Sequence, residues 1–211
     1  FNKHTDVYQS TDRGNTWAKV GQFDRQRSGT LFAIADVLYQ VGYAMPEIKG
    51  VSPRCVAIRK STDGGKTWSE PVDAKTGLLL SDASYYTDPV PVLLHRGRVW
   101  WQVDLVDRSR KVDWPGQFNM MAISAPVDSD LLDAANWTRS NAVPWPSHRH
   151  FTGWLEGNVV AAPDGSLHIL ARVEDGRRPG GGGRTVARLD LSADGKTLCF
   201  DPENGFLDFP G

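Results

Sequence analysis

Ser10 to Trp17 read STDRGNTW, and Ser61 to Trp68 read STDGGKTW. Both follow the pattern Ser-x-Asp-x-Gly-x-Thr-Trp. A pattern this detailed recurring about fifty residues later marks a repeat architecture, in which one supersecondary unit is used several times. In each copy the aspartate, Asp12 or Asp63, can fold its carboxylate back onto nearby backbone N–H groups and stabilise a tight turn. Gly14 and Gly65 admit the positive φ that such a turn requires. Thr16-Trp17 and Thr67-Trp68 favour extended structure, and a tryptophan leaving a turn can cover a sheet edge or a gap between sheets. The octapeptide predicts a hairpin, with Ser10, Asp12, Gly14, Thr16 and Trp17 in one copy and Ser61, Asp63, Gly65, Thr67 and Trp68 in the other as structural residues.

The rest of the composition agrees with a turn-rich β protein. The 211 residues include 21 Gly, 13 Pro and 8 Trp, with 40% hydrophobic and 23% charged residues. A formal net charge of -1 supplies no electrostatic footprint for nucleic acid or an anionic membrane surface, so neither is an expected partner. No run approaches the roughly 18 apolar residues that a membrane span needs. Phe1 to Ser10 lack the basic, apolar and small-residue sections of a signal peptide. Cys55 and Cys199, set among strand-like residues, read as buried free thiols rather than a disulfide framework, with a single bridge as the alternative. His4, His95, His148, His150 and His168 show no spacing typical of a closed metal site, and neither metal nor cofactor is expected.

Strand-like runs separated by turn residues continue along the whole chain, and no stretch carries a sustained amphipathic helical period. The predicted class is all-β.

The octapeptide resembles the Asp-box, or BNR repeat, of the sialidase-like β-propellers. In that family the box joins the outer two strands of a blade, which places Asp12 and Asp63 at the periphery and away from chemistry. The resemblance implies one propeller domain over 1–211, six-bladed when complete, of which this chain covers about three blades with partial blades at both ends. The blade units fall at about 1–22 (partial), 29–72, 87–140, 152–202 and 205–211 (partial). Within them TWSEP is expected to start an outer strand, VDSDLLDAANWTRS to replace a box with a longer turn, Ser192 to Gly195 to form a degenerate box, and GFLDFPG to open a further blade. Such an arc exposes inner strands, so the chain is expected to be an internal piece of a longer protein.

The residues with chemical potential lie in GWLEGNVVAAPDGSLHILAR. Glu156 stands at the start of an innermost strand and Arg172 at the end of the next, with a Pro163-Asp164-Gly165 turn between. Strands of similar length about a turn bring both to one end, where a carboxylate and an arginine can orient an anionic or hydroxylated ligand. The order Glu, short apolar strand, Asp-Gly, strand, Arg is similar to a sialidase blade. There the Glu activates a tyrosine nucleophile and the Arg grips the substrate carboxylate, roles that the resemblance carries to Glu156 and Arg172. Trp154, Asn158, Asp88, Tyr86, His150 and Arg177 are the candidate substrate-binding residues on the same predicted rim. Trp114 and Trp145 are further aromatics that could stack on a sugar ring.

The sequence also departs from the family. It has no Arg-Ile-Pro strand, and the loop expected to hold an acid/base Asp, AMPEIKGVSPR, contains Glu47 as its only carboxylate. Three functions therefore stay open. The leading one is an exo-acting glycosidase of sialidase-like type on an acidic or polar glycan. The others are a non-catalytic propeller binding glycan or protein, and a glycanase whose Asp88 or Glu47 faces a second carboxylate across a cleft. A glycan is the expected ligand, the oligomeric state is open, and a secreted or periplasmic location is implied by the resemblance alone.

Overall fold

The computed structural model describes residues 4–48, 50–112, 114–148, 150–176 and 182–209. They form four antiparallel sheets in chain order. The first pairs β1 (His4–Gln9) with β2 (Ala18–Asp24) across the first octapeptide. The second runs in the order β3 (Gln26–Ile34), β4 (Val37–Ala44), β5 (Cys55–Ser61), β6 (Leu78–Leu80). In the third, the innermost strand is split into β7 (Tyr85–Tyr86) and β8 (Leu93–His95), both paired with β9 (Arg98–Val106). Next comes β10 (Phe118–Pro126), which pairs with β11 (Thr138–Arg139) and β12 (Val143–Pro144). The fourth places β13 (Phe151–Ala161), β14 (Leu167–Asp175) and β15 (Gly182–Leu191) side by side, with β16 (Leu198–Phe200) and β17 (Phe206–Asp208) both on β15. A single turn of 3-10 helix, Ala134–Asn136, lies in the long connection after β10.

Two strand expectations need correction. The outer strand of the second sheet is Leu78–Leu80 and not TWSEP. Pro71 and the Asp73 turn intervene, and Ser69 meets β5 through isolated bonds, such as its N–H to Lys60 O at 2.9 Å. GFLDFPG does not open a further blade, because Phe206–Asp208 pairs with Thr185–Ala187 of β15 and adds to the same sheet.

Both octapeptides form the expected turn. Asp12 Oδ1 accepts from the Thr16 N–H at 2.8 Å, and Asp63 Oδ1 from the Thr67 N–H at 3.0 Å. The serines hold the other side, with Gly14 N–H donating to Ser10 Oγ at 2.7 Å and Gly65 N–H to Ser61 Oγ at 2.9 Å. Both glycines have φ of +88°, a conformation that a Cβ would strain. Bonds to Thr16 hold the Asp12 carboxyl down at about 2, and Asp63 is lowered in the same way through Thr67. The second turn also clamps its neighbour, since a Cβ on Gly21 of β2 would lie 2.1 Å from Gly65 O. Trp68 covers this junction against Phe23 with ring centroids 5.3 Å apart, whereas Trp17 is exposed. Ser192 to Thr197 repeat the turn in part, through Ser192 Oγ donating to Asp194 Oδ1 at 2.6 Å and Thr197 N–H to Ser192 Oγ at 2.9 Å.

The core lies between sheets. One cluster, including Val41, Ile58, Trp101, Val103, Met121 and Ile123, fills the space between the second and third. Another, including Trp100, Met120, Trp154, Ile169 and Leu189, fills the space between the third and fourth. Strand alternation explains the split, because Trp100 and Trp101 point to opposite faces of β9 and both faces are covered. Burying a large apolar side chain stabilises by about 1.5–3 kcal/mol, so these interfaces hold the sheets together. The thiols are both free, Cys55 buried as expected and Cys199 exposed, contrary to expectation. Among the described residues no helix is long and apolar enough to cross a membrane.

Candidate active site

Each innermost strand breaks at a comparable place. In β3 the register shifts between Arg27 and Thr30, with Ser28 at φ +43°. In the third sheet the strand is interrupted between β7 and β8, at the segment containing Asp88. In β13 the register shifts between Leu155 and Asn158, with Glu156 at φ +54°. Bulges of this kind re-aim a side chain, and a non-glycine residue at positive φ costs on the order of 1–3 kcal/mol. Gly29 and Gly157 follow the two strained residues because no Cβ fits there. At Gly157 it would lie 2.7 Å from Ile169 and 3.0 Å from Gln102.

The breaks at Asp88 and Glu156 face one cavity of about 500 Å³, lined by Asp88 to Pro91, Glu156, Asn158, Leu170, Arg172 and Val186. Glu156 lies within β13 at the bulge, not at the strand's start as expected. Its two oxygens are each 2.9 Å from Arg172 Nη1, while Arg172 Nη2 donates to Glu174, a buried residue two positions further along β14. Burial opposes the arginine's charge, but the hydrogen bonds to Glu156 and Glu174 outweigh it and raise the guanidinium's pKa. The arginine is therefore clasped by two carboxylates rather than lying in a loose surface pair.

Asp88 is 7% exposed, and its Oδ2 has no hydrogen-bond partner among the described residues. Burial pushes its carboxyl up to about 6, and the Glu156 carboxylate adds to the rise. The Glu156 backbone N–H, Arg172 and the Tyr86 hydroxyl act in the opposite sense. A carboxyl in this range carries a proton at mildly acidic pH and can give it up, which is the requirement for a general acid. Asn158 Oδ1 is also buried without a partner among the described residues.

The other candidates lie elsewhere. Trp154 is fully buried, donates its indole N–H to Phe118 O at 3.1 Å and meets Trp145 edge-on, so it belongs to the core and not to the cavity wall. Trp145 is likewise buried, while Trp114 is half exposed. Tyr86 is sandwiched between Tyr43 and Phe118 at centroid distances of 5.7 and 5.0 Å. Burial first, then Asp88, pushes its hydroxyl up to about 12. His150 rests on Phe151 with its Nε2 3.3 Å from Asp175 Oδ1, and is not part of the cavity lining. Arg177 lies outside the described residues. Glu47 is exposed and pairs with Arg25 at 3.1 Å, so it faces an arginine rather than a second carboxylate.

Sequence reasoning missed Glu174, Gln102 and Asp104. The last two are fully buried on β9, where Asp104 is in register with Tyr86. Their signal was present, because a glutamine and an aspartate interrupt the otherwise apolar run VWWQVDLV of a strand covered on both faces. Among the described residues no group of three or more His, Cys, Asp or Glu could hold a metal ion.

No protein-family model matches this sequence, and no curated protein matches it. Solved structures do. An α-L-arabinanase of Penicillium chrysogenum in complex with arabinobiose superposes with a TM-score of 0.55 at 14% identity, over 98% of this chain and 58% of its own. A xylan β-1,4-xylosidase of Bacillus halodurans gives 0.59 at 11% identity, over 99% and 41%. A Trypanosoma rangeli sialidase in complex with 2,3-difluorosialic acid gives 0.50 at 16% identity, over 99% and 36%. The chain thus spans less than two thirds of the length of these neighbours. At such identities the likeness is one of fold, and the fold is that of the sialidase-like and related β-propellers, with three blades and a further pair of strands present here.

Proposed function

We propose that the chain is part of an exo-acting, sialidase-like glycoside hydrolase on a polar glycan. The observation that carries this reading is the convergence of Asp88, Glu156 and Arg172, from two neighbouring blades, on one cavity. In this reading Glu156 supports the attacking nucleophile as proton acceptor, Arg172 orients a polar group of the substrate, and Asp88 protonates the glycosidic oxygen as the bond to the sugar breaks. Arg172 is already engaged by Glu156 and Glu174, which favours hydroxyl groups over a carboxylate as its ligand. The octapeptides act as Asp-boxes that brace the blades, and a secreted or periplasmic location suits a glycan substrate.

The test is turnover by the full-length protein on neutral glycosides, uronosides and sialosides, beside Glu156→Gln, Arg172→Ala and Asp88→Asn. Hydrolysis that persists unchanged in all three variants would overturn the assignment. A second reading, a propeller that binds glycan or a protein partner without cutting, is favoured by the 44–54 loop, whose one carboxylate, Glu47, is tied to Arg25 at the surface. Saturable glycan binding with no turnover on any panel member selects it.

A further inference from the structure

The cavity's own arginine is engaged on both edges, whereas a second arginine close by is not. Arg25, Arg59, Arg139 and Arg172 each meet a carboxylate within 3.1 Å. Among the described residues no carboxylate pairs with Arg54, whose guanidinium lies over the Tyr43 ring at 6.0 Å from the centroid. Tyr43 stacks in turn on Tyr86, with centroids 5.7 Å apart and planes at 25°. Tyr86 borders the cavity, because its hydroxyl acts on Asp88 and feels the charges of Asp88 and Glu156 as well as that of Arg54. All three side chains are partly exposed.

Backbone contacts hold this cluster in place. Arg54 O accepts from the Tyr85 N–H at 3.1 Å, and the Arg54 N–H donates to Ser52 Oγ at 3.4 Å. Tyr43 N–H donates to Thr87 Oγ1 at 3.0 Å, and that hydroxyl donates to Ser28 O at 2.9 Å. The second and third sheets are thus tied together at the points from which Arg54, Tyr43 and Tyr86 project. Groups fixed in this way lose little conformational freedom when a ligand arrives.

We infer that Arg54, with the hydroxyls of Tyr43 and Tyr86, binds a carboxylate on the sugar next to the one held in the cavity, so that the substrate is a glycan with a uronic acid beside its terminal residue. This inference rests on the reading of the chain as part of a glycoside hydrolase. The planar fork of an arginine matches a carboxylate bidentately, and a neutral tyrosine hydroxyl can donate to the same group. Tyr86 stays neutral, since burial and then Asp88 push its hydroxyl up to about 12. Within the cavity the same anion is disfavoured. Arg172 already faces Glu156 and Glu174, so an arriving carboxylate meets two like charges for one cation. Arg54 has no such competitor among the described residues. Neither Arg54 nor Tyr43 lines the cavity itself, so the group they hold belongs to the adjoining sugar and not to the one being cleaved.

The experiment is a titration of the full-length protein with sodium glucuronate, beside glucose and sodium acetate as controls, read from the NMR signals of the arginine side-chain N–H groups and the tyrosine rings. Glucuronate is expected to shift the Arg54 and Tyr86 signals saturably, and more weakly as sodium chloride is raised. Glucose leaves them unmoved, and acetate, which lacks the sugar hydroxyls, binds about tenfold more weakly. Arg54→Ala weakens glucuronate binding by at least about tenfold, Arg54→Lys restores only part of it, and Tyr43→Phe or Tyr86→Phe weakens it about threefold. Glucuronate binding unchanged in Arg54→Ala, shifts at Arg172 in place of Arg54, or acetate binding as tight as glucuronate overturns the inference. If Arg54→Ala does not fold, the wild-type signals and Arg54→Lys still decide. The readout does not depend on turnover. A protein that hydrolyses nothing yet binds glucuronate at Arg54 retains the site and loses the hydrolase reading, while one that cleaves neutral glycosides and binds no glucuronate loses the site alone. Where a glycoside is turned over, replacing a glucose leaving group by glucuronate is expected to raise kcat/KM about tenfold in wild type and not in Arg54→Ala.

Discussion

Arg172 Nη1 lies 2.9 Å from each carboxylate oxygen of Glu156, across a bulge that holds Glu156 at φ +54°. The pair joins the first two strands of one blade, where Leu155 and Arg172 are in register. Its position explains why a strained glutamate is kept. The bulge turns Glu156 out of strand alternation and onto the guanidinium, while Glu174 approaches the same arginine from β14. Removing the arginine leaves two carboxylates close together, one of them buried.

Arg172→Ala is therefore expected to destabilise the fold by about 1–3 kcal/mol, since Arg172 and Glu156 are each about a third exposed and only Glu174 is left buried without its partner. Glu156→Gln keeps a hydrogen-bonding oxygen and is expected to cost about 1 kcal/mol while abolishing proton acceptance. Urea denaturation reads both. Equal loss of stability in the two variants would contradict this asymmetry.

Asp88 makes stability depend on pH in the direction opposite to most carboxylates. Its folded value of about 6 lies above the ordinary 3.8, so the folded state binds the proton more tightly. Its contribution is fully present below about pH 4 and is lost as pH rises through 6. Asp88→Asn removes this loss, and is expected to melt higher than wild type above about pH 6, by up to about 3 kcal/mol, with the advantage vanishing toward about pH 4. Any hydrolytic activity should fall in the same variant, so stability and activity separate in opposite directions. Thermal melts from mildly acidic to mildly alkaline pH provide the check.

The octapeptide aspartates act in the usual sense. Asp12 is held at about 2 and Asp63 is also lowered, so each stabilises the fold above about pH 4 and less as pH falls toward 2. Asp63→Ala should flatten the acid side of the stability profile. It should do more harm than Asp12→Ala, because the second turn also seats against Gly21 and under Trp68. Melting temperature against pH for the two variants tests the order.

Arg59 is the buried hub between the first and second sheets. It is 1% exposed, and its guanidinium reaches Glu70 at 2.6 Å, Gln26 Oε1 and Ser69 O at 2.9 Å, and Asp24 O at 2.8 Å. Arg59→Ala is expected to cost about 1–3 kcal/mol, because it leaves the buried Gln26 Oε1 and the carbonyls of Asp24 and Ser69 without a donor while Glu70 is exposed to solvent. Arg59→Lys should recover little, since one ammonium cannot span a fork of four acceptors. A lysine variant as stable as wild type would show that charge alone matters here.

Much of the fold was legible because its turns are local. Each octapeptide closes hydrogen bonds among residues no more than four positions apart, so their chemistry is written in consecutive letters. The hairpin from Glu156 to Arg172 was legible for the same reason, being two strands about one turn. The outer strands were harder, because Leu78–Leu80 and Phe206–Asp208 join their sheets after intervening loops whose paths depend on neighbours. Trp154 misled because its place beside Glu156 in sequence says nothing about which face of the strand it occupies next to a bulge.

The sequence by itself determined that the chain is built of repeated β-units, that Asp12 and Asp63 brace turns, and that Glu156 and Arg172 share one hairpin. Only the tertiary structure decided that Asp88, from the preceding blade, completes their cavity, that Glu174 takes the arginine's other edge, and that Asp104 is wholly buried on β9. These contacts join residues far apart in the chain through the packing of one sheet on the next, and burial, which raises Asp88 and Asp104, is a property of that packing rather than of any local stretch.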